Sequence, residues 1–237
     1  MTKYLLSNHV HLRLTDDGAV LLDLRRDEYL TLNRDQASAL LEATEGWPAS
    51  SAGDTPSTRT DKNRSEFSTT LLERGLITPD AHAGKPAIQA ELPTPNTSLV
   101  EQYHTDQQSY LRYLPSFLTA CARTFLSLRL RSLDQIIFSI ERRKRRHLSA
   151  HGATAEKMEE LVRAFQFLRP FVYTDYNKCL FDSLTLVHFL ASHGCFPSLV
   201  VGIRIRPFEA HAWVQQGRCS LNHAVEYVRA YAPIMII

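Results

Sequence analysis

Polar and apolar residues alternate along His9-Val10-His11-Leu12-Arg13-Leu14, the period-two signature of a half-buried strand. Asp16-Asp17-Gly18 reads as a turn and residues 19–24 as a second strand. The polar connection Arg25-Arg26-Asp27-Glu28 leads to a third, Tyr29-Leu30-Thr31-Leu32, rich in strand formers. Asn33 is placed to cap a helix from Arg34 to about Glu45, with Ala37, Leu40 and Leu41 on one face. A loop rich in Ser, Thr, Pro and Gly covers 46–60, and a helix over 65–74 is stopped by Gly75 at a C-cap position. Leu76-Ile77-Thr78-Pro79 closes the unit. Three short strands with two or three helices predict a small winged-helix-like module over 1–80.

Periodicity fades over the next residues, which carry Pro86, Pro93 and Pro95, so 81–105 is expected as a linker. A second domain then spans 106–237. It opens with a helical stretch over 109–140, broken or kinked near Pro115. Phe117, Leu118, Phe125, Leu128, Leu133, Ile136, Ile137 and Ile140 supply its buried stripe. An amphipathic helix over 155–168 is ended by Pro170. Leu180, Leu184, Val187 and Leu190 recur at helical spacing, with Asn177 or Asp175 as N-cap and Gly194 as C-cap. Residues 197–206 and 210–215 alternate as strands, and Gln216-Gly217-Arg218 turns the second into a return strand over 219–222. The mixture of separated strand and helix runs predicts an α+β protein of two modules.

Composition agrees with that division. The 237 residues are 44% hydrophobic and 22% charged, which excludes disordered, collagen-like and low-complexity chains. Residues 1–80 hold 9 basic and 13 acidic side chains, a net −4, whereas 81–237 carry a net +6. The winged-helix-like module is therefore acidic, which argues against nucleic acid as its partner. Neither a signal peptide nor an apolar run of membrane-spanning length occurs, so a cytoplasmic chain without a membrane span is expected. The four cysteines, Cys121, Cys179, Cys195 and Cys219, form no CxxC pair and are expected as free thiols. His9 and His11 share a strand face without a third ligand, so no metal site is expected.

Position separates the cysteines. Cys179 falls in the first turn of the 178–190 helix, where unpaired N–H groups, the helix dipole and the adjacent Lys178 all favour a thiolate. Cys121 and Cys195 read as core residues and Cys219 as facing the hairpin interior. His188 and His193, on the same helix and at its end, read as core or solvated side chains. His211 lies on the strand before the hairpin, on the face it shares with Trp213. A three-residue turn centred on Gly217 would set His211 opposite His223, and a two-residue turn at 216–217 opposite Asn222. A cysteine at a helix start, a histidine on a strand and an orienting polar group form a thiol-protease-like constellation.

The pattern Cys179, Val201-Gly202-Ile203-Arg204, Pro207-Phe208, His211-Ala212-Trp213-Val214, Gly217 and Leu221-Asn222 resembles the transglutaminase-like leader peptidases of lasso peptide biosynthesis, the B proteins. The N-terminal module resembles the PqqD-like precursor recognition element fused to that peptidase. The resemblance covers nearly the whole chain. It implies a PqqD-type module followed by a transglutaminase-like, papain-like cysteine peptidase domain. It implies cleavage of a precursor's leader by Cys179 and His211, with backbone N–H groups at the start of the Cys179 helix as oxyanion donors. The leader would dock on the strand Tyr29, Leu30, Thr31 and Leu32 beside Phe67, Leu71 and Arg74. A partner cyclase resembling asparagine synthetase would close the macrolactam and use any ATP, because this chain shows no phosphate-cradling loop and needs no cofactor of its own. One position departs from the family: where the family has Asp after Leu-Asn, this chain has His223. His223 can hydrogen-bond to His211 but brings no negative charge, and Asn222 is the alternative orienter.

Two further readings share these residues. A degenerate third position would suit a non-catalytic, leader-binding scaffold or chaperone for the cyclase, and the same thiol chemistry would suit a transglutaminase or amidase. The run Arg142-Arg143-Lys144-Arg145-Arg146 lacks interleaved aromatics and reads as a solvated helix end or a docking patch for an acidic surface.

Overall fold

The computed structural model describes residues 3–46, 61–100, 108–147, 154–173 and 178–237. The expected loop over 47–60, the helix caps Asp175 and Asn177, and part of the expected linker lie outside the described residues. Contacts divide the mixed α+β chain into two compact units, residues 1–90 and 91–237.

The first unit opens with strand β1 (Leu5–Ser7). An antiparallel meander of β2 (Val10–Thr15), β3 (Gly18–Asp23) and β4 (Glu28–Asn33) follows. Leu12 pairs with Leu21, and Leu21 with Leu30, across the sheet. Asn33 ends β4 and caps helix α1 (Arg34–Ala43) through a capping box. Its side chain accepts from the Gln36 N–H, while the Gln36 side chain accepts from the Asn33 N–H. Helix α2 (Asp61–Glu73) ends ahead of Gly75, whose φ of 70° is the left-handed conformation a helix stop requires. Strands β5 (Ile77–Thr78) and β6 (Gly84–Lys85) flank β1 in a second small sheet of order β5-β1-β6. Leu6, Val10, Leu12, Leu21, Leu40, Leu76 and Ile77, each at most 1% exposed, form the core between these layers.

Strand β1 has too few alternating positions to be read from sequence, and β6 falls inside the expected linker. That stretch is divided rather than loose. Gly84 and Lys85 pair with β1, and Ala87 is fully buried in the first unit. Strand β7 (Thr97–Ser98) instead joins the second unit.

The second unit begins its helices with a 3₁₀ turn over Gln108–Tyr113, then α3 (Leu114–Leu130), α4 (Leu133–His147) and α5 (Ala155–Leu168). Pro115 starts α3 rather than kinking it, since a first-turn proline lacks only an N–H that would be unpaired anyway. The helical stretch breaks instead at Arg131 and Ser132. Of its expected stripe, Phe117, Ile136, Ile137 and Ile140 are buried, while Leu118, Phe125 and Leu128 are exposed. Helix α6 (Cys179–Ser192) is the core of the unit: every residue from Asp182 to Ala191 is buried. The Phe117, Phe165 and Phe189 rings meet between α3, α5 and α6 with centroids 5.4–6.3 Å apart.

Strands β8 (Ser198–Arg204), β9 (Glu209–Gln216) and β10 (Cys219–Ser220) follow. The chain ends in the short helix α7 (Val225–Val228) and strand β11 (Ala232–Ile236). The sheet order is β11-β8-β9-β10-β7, with β7 parallel to β10. Strand β8 is buried on both faces, so its alternation in sequence does not separate an inside from an outside. Gly202 is required by a close approach: a Cβ there would lie 2.7 Å from the Trp213 ring. No helix among the described residues is long and apolar enough to cross a membrane.

Candidate active site

Cys179 is the first residue of α6, half-buried, and follows the exposed N-cap residue Lys178. Lys178 makes no side-chain cap hydrogen bond, so the opening N–H groups of the helix are not engaged by their own N-cap side chain. One turn on, Ser183 Oγ donates to the carbonyl oxygen of Ala212, 3.0 Å away. That bond fixes the opening turns of α6 on β9 at the residue following His211.

His211 is 6% exposed and sits opposite Gly202 in the β8–β9 register. Its imidazole is walled by rings. His223 stands edge-on at 4.5 Å between centroids, Tyr227 at 4.8 Å and Tyr231 at 5.1 Å, and Trp213 lies nearly parallel at 6.3 Å. Nε2 of His211 is buried and has no hydrogen-bond partner among the described residues. Burial, and then the proximity of His223, lower its pKa to about 4, while the Glu209 carboxylate pulls weakly the other way. At neutral pH the ring is therefore uncharged and able to accept a proton, but its environment disfavours the imidazolium that results.

Neither register expected for the hairpin occurs. Gln216 pairs with Cys219 and Gln215 with Ser220, which leaves the two-residue turn Gly217-Arg218. His223 still reaches His211, because the ladder ends at Ser220 and the chain bends through 221–223. The bend is braced at three points. Gln166 Nε2 donates to the Leu221 carbonyl (3.1 Å), Ser220 Oγ to the His223 carbonyl (2.7 Å), and Asn222 is locked on all sides.

The Asn222 amide bonds to the surrounding frame. Its Oδ1 accepts from the Val214 N–H (2.8 Å), and its Nδ2 donates to Asp182 Oδ2 (2.9 Å) and Ser183 Oγ (3.0 Å). The amide is committed to structure. Asp182, fully buried, also accepts from the Tyr173 hydroxyl (3.0 Å) and faces Arg169 at 3.5 Å. A carboxylate so deep is tolerable only with this set of donors. Sequence reading passed over Asp182, although an acid within an apolar helix stripe is itself a signal of a paired buried charge. It also missed the Tyr227 and Tyr231 wall, whose i, i+4 spacing was the available sign.

Cys121 and Cys195 separate from Cys179 by burial. Burial and the Asp182 carboxylate push the Cys121 thiol up to about 11, and burial also raises Cys195. Neither carries thiolate at neutral pH. Cys219 is half-buried at the start of β10.

In the first unit, among the described residues, β4 is an edge of its sheet and pairs with β3 alone. Tyr29, Leu30 and Phe67 are half-buried and Thr31 exposed, while Arg74 Nη2 lies 3.3 Å from Glu28 Oε2 at the head of β4. Leu32 and Leu71 are core residues, 7% and 3% exposed, and their side chains offer no contact surface. Among the described residues no group of three or more His, Cys, Asp or Glu side chains is arranged to hold a metal ion.

Residues 120–236 match the family model of the transglutaminase-like superfamily, so the segment carrying Cys179, His211 and His223 is a transglutaminase-like domain. This points to a fold of the cysteine protease and acyltransferase type. No curated protein and no solved structure matches the chain.

Proposed function

We propose that this protein is a cysteine peptidase that removes the leader from a ribosomally made lasso peptide precursor. The observation that carries the reading is the setting of His211. It is buried, uncharged at neutral pH, without a hydrogen-bond partner at Nε2 among the described residues, and its neighbour Ala212 ties the strand to the opening turns of the helix that begins with Cys179. In this reading Nε2 takes the thiol proton as Sγ attacks the scissile carbonyl. The N–H groups opening α6 steady the oxyanion. The amine of the core peptide leaves with the proton from His211, and water, deprotonated by the same ring, hydrolyses the thioester. The edge of β4 takes the leader as an added strand, with Leu30 and Phe67 contacting its apolar side chains. A PqqD-like role for this first unit, an asparagine-synthetase-like cyclase as partner and ATP use by that partner belong to the same reading.

Low basicity of His211, with His223 where a carboxylate would stabilise an imidazolium, favours a second reading in which the chain binds leaders without cutting them. Transfer of the acyl group to an amine instead of water is the third outcome of the same chemistry. Incubating precursor with the purified protein, with and without the cyclase, and following products by mass spectrometry separates them. Leader release that Cys179→Ala abolishes supports the peptidase. Binding with no Cys179-dependent product supports the scaffold, and an amine adduct in place of free leader supports the transferase.

A further inference from the structure

Helix α3 buries one narrow stripe, Phe117, Ala120, Cys121 and Thr124, and its outward side meets solvent. That side is not polar. Leu118, Ala122, Phe125 and Arg129 follow one another at steps of four, three and four. Thr119, Arg123, Leu126 and Leu130 repeat the pattern one position on. All eight are exposed, Phe125 at 57% and Leu126 at 53%. Steps of three and four set each group on one line along the helix, about 18 Å from first residue to last. An open concavity of about 530 Å³ runs beside them, with Thr119, Ala122, Arg123, Leu126, Leu130 and Arg131 on its wall. It is roomy enough for several side chains and open to solvent, and an exposed apolar face of this kind marks a surface that meets another molecule.

Charge narrows what that molecule is. From residue 108 to residue 133 the chain has four arginines and no Asp or Glu. Arg112 pairs with Glu160, whereas Arg123, Arg129 and Arg131 hold no ion pair among the described residues. In the basic run on α4, by contrast, Arg143 is bonded to the Ala191 carbonyl, Lys144 to the Ile237 carbonyl and Arg145 to Glu141. The arginines of α3 therefore lie among exposed leucines and a phenylalanine with no carboxylate to answer them.

We propose that the outward side of α3 docks an acidic amphipathic helix of a partner protein. The apolar residues of that helix seat against Leu118, Phe125, Leu126 and Leu130, and its carboxylates meet Arg123 and Arg129. The surface stands independently of the peptidase reading. Two lines at helical spacing accept the ridge of a second helix. A second copy of α3 would bring arginines and no carboxylate, and a flat bilayer does not fill a concavity. The test uses the full-length protein and a labelled synthetic peptide of about 18 residues, with leucine at steps of three and four and glutamate beside each. Fluorescence anisotropy should show saturable binding at tens of micromolar, weaker by about tenfold in Phe125→Asp and about threefold in Arg129→Ala. Thermal unfolding of both variants should be unchanged, because both side chains are exposed. No saturation by about 200 μM, or equal affinity in Phe125→Asp, overturns the surface. Equal binding of the same peptide with lysine for glutamate overturns the acidic partner. A dimer in light scattering that Phe125→Asp dissolves would assign the face to a second copy, and Phe125-dependent binding to phosphatidylglycerol vesicles would assign it to a membrane. Either result overturns the proposal.

Discussion

His211 and His188 resemble each other in every property that burial controls. Both lie in the second unit at 5–6% exposure, both have Nε2 without a partner among the described residues, and both have a pKa lowered to about 4. They differ in company. His211 faces aromatic rings and a second imidazole, and the strand that carries it is bonded to the helix that starts with a thiol. His188 lines a cleft with two arginines, Arg123 on α3 and Arg143 on α4. Depth alone makes a histidine neutral, and the neighbours decide what that neutral ring can meet.

The sharpest way to break the contrast is to remove the proton acceptor. If His211 is the base, His211→Ala lowers kcat/KM for leader release by about 10³-fold or more, while Cys219→Ser leaves it within about twofold. Single-turnover assays on the precursor measure both, and equal losses would place the chemistry elsewhere.

Next in size is the frame beneath the histidine. Asn222→Leu leaves Asp182, Ser183 and the Val214 N–H each short of a partner in a dry interior. It should cost about 2–4 kcal/mol, read by chemical denaturation. A loss below about 1 kcal/mol would mean that the bend at 221–223 is held without it.

Acid sharpens the similarity. Each histidine has a folded pKa near 4 against 6.5 unfolded, so between those values the unfolded chain binds protons that the folded chain refuses. Stability is therefore full above pH 6.5 and falls as pH drops toward 4, on the order of 2 kcal/mol for each histidine. In the first unit His11, lowered to about 3 by burial and Lys85, adds a fall in the same direction. Melting temperatures across that range test it, and His188→Gln should flatten the curve.

The exchange that separates the two histidines is His223→Asp. A carboxylate beside His211 should raise its pKa from about 4 toward or past 6.5 while leaving His188 at about 4, as proton resonance titration of the imidazoles would record. Leader release should hold or increase. A collapse would give His223 a function that an acid cannot supply. The smallest effect is expected at the leader edge: Arg74→Ala removes an exposed ion pair and should change stability by no more than about 0.5 kcal/mol.

Much of this was legible in the residues. The meander of β2 to β4, the Asn33 cap, the stops at Gly75 and Gly194, and the placement of Cys179 at a helix start and His211 on a strand all follow from local periodicity and turn chemistry. What stayed hidden depends on distant partners. Strands β1, β6 and β7 are two or three residues long and exist only because another segment pairs with them. Phe125 and Leu128 continue the helical stripe of Phe117 but outrun the surface that could bury them. The hairpin register came out one residue further along than expected, because Gly217 and Arg218 carry the whole turn. Asn222 and His223, alternative candidates in sequence, take different neighbours: the first bonds to Asp182 and the second faces the His211 ring.

That division has a consequence for how such a site can be altered. One residue bolts the bend to helix and strand, and the next, fastened by its own carbonyl to Ser220, holds out the side chain that meets the His211 ring. Because the brace and the ring facing His211 sit on neighbouring but separate side chains, position 223 is a socket: its occupant can be exchanged without cutting the Asn222 bonds that hold the bend.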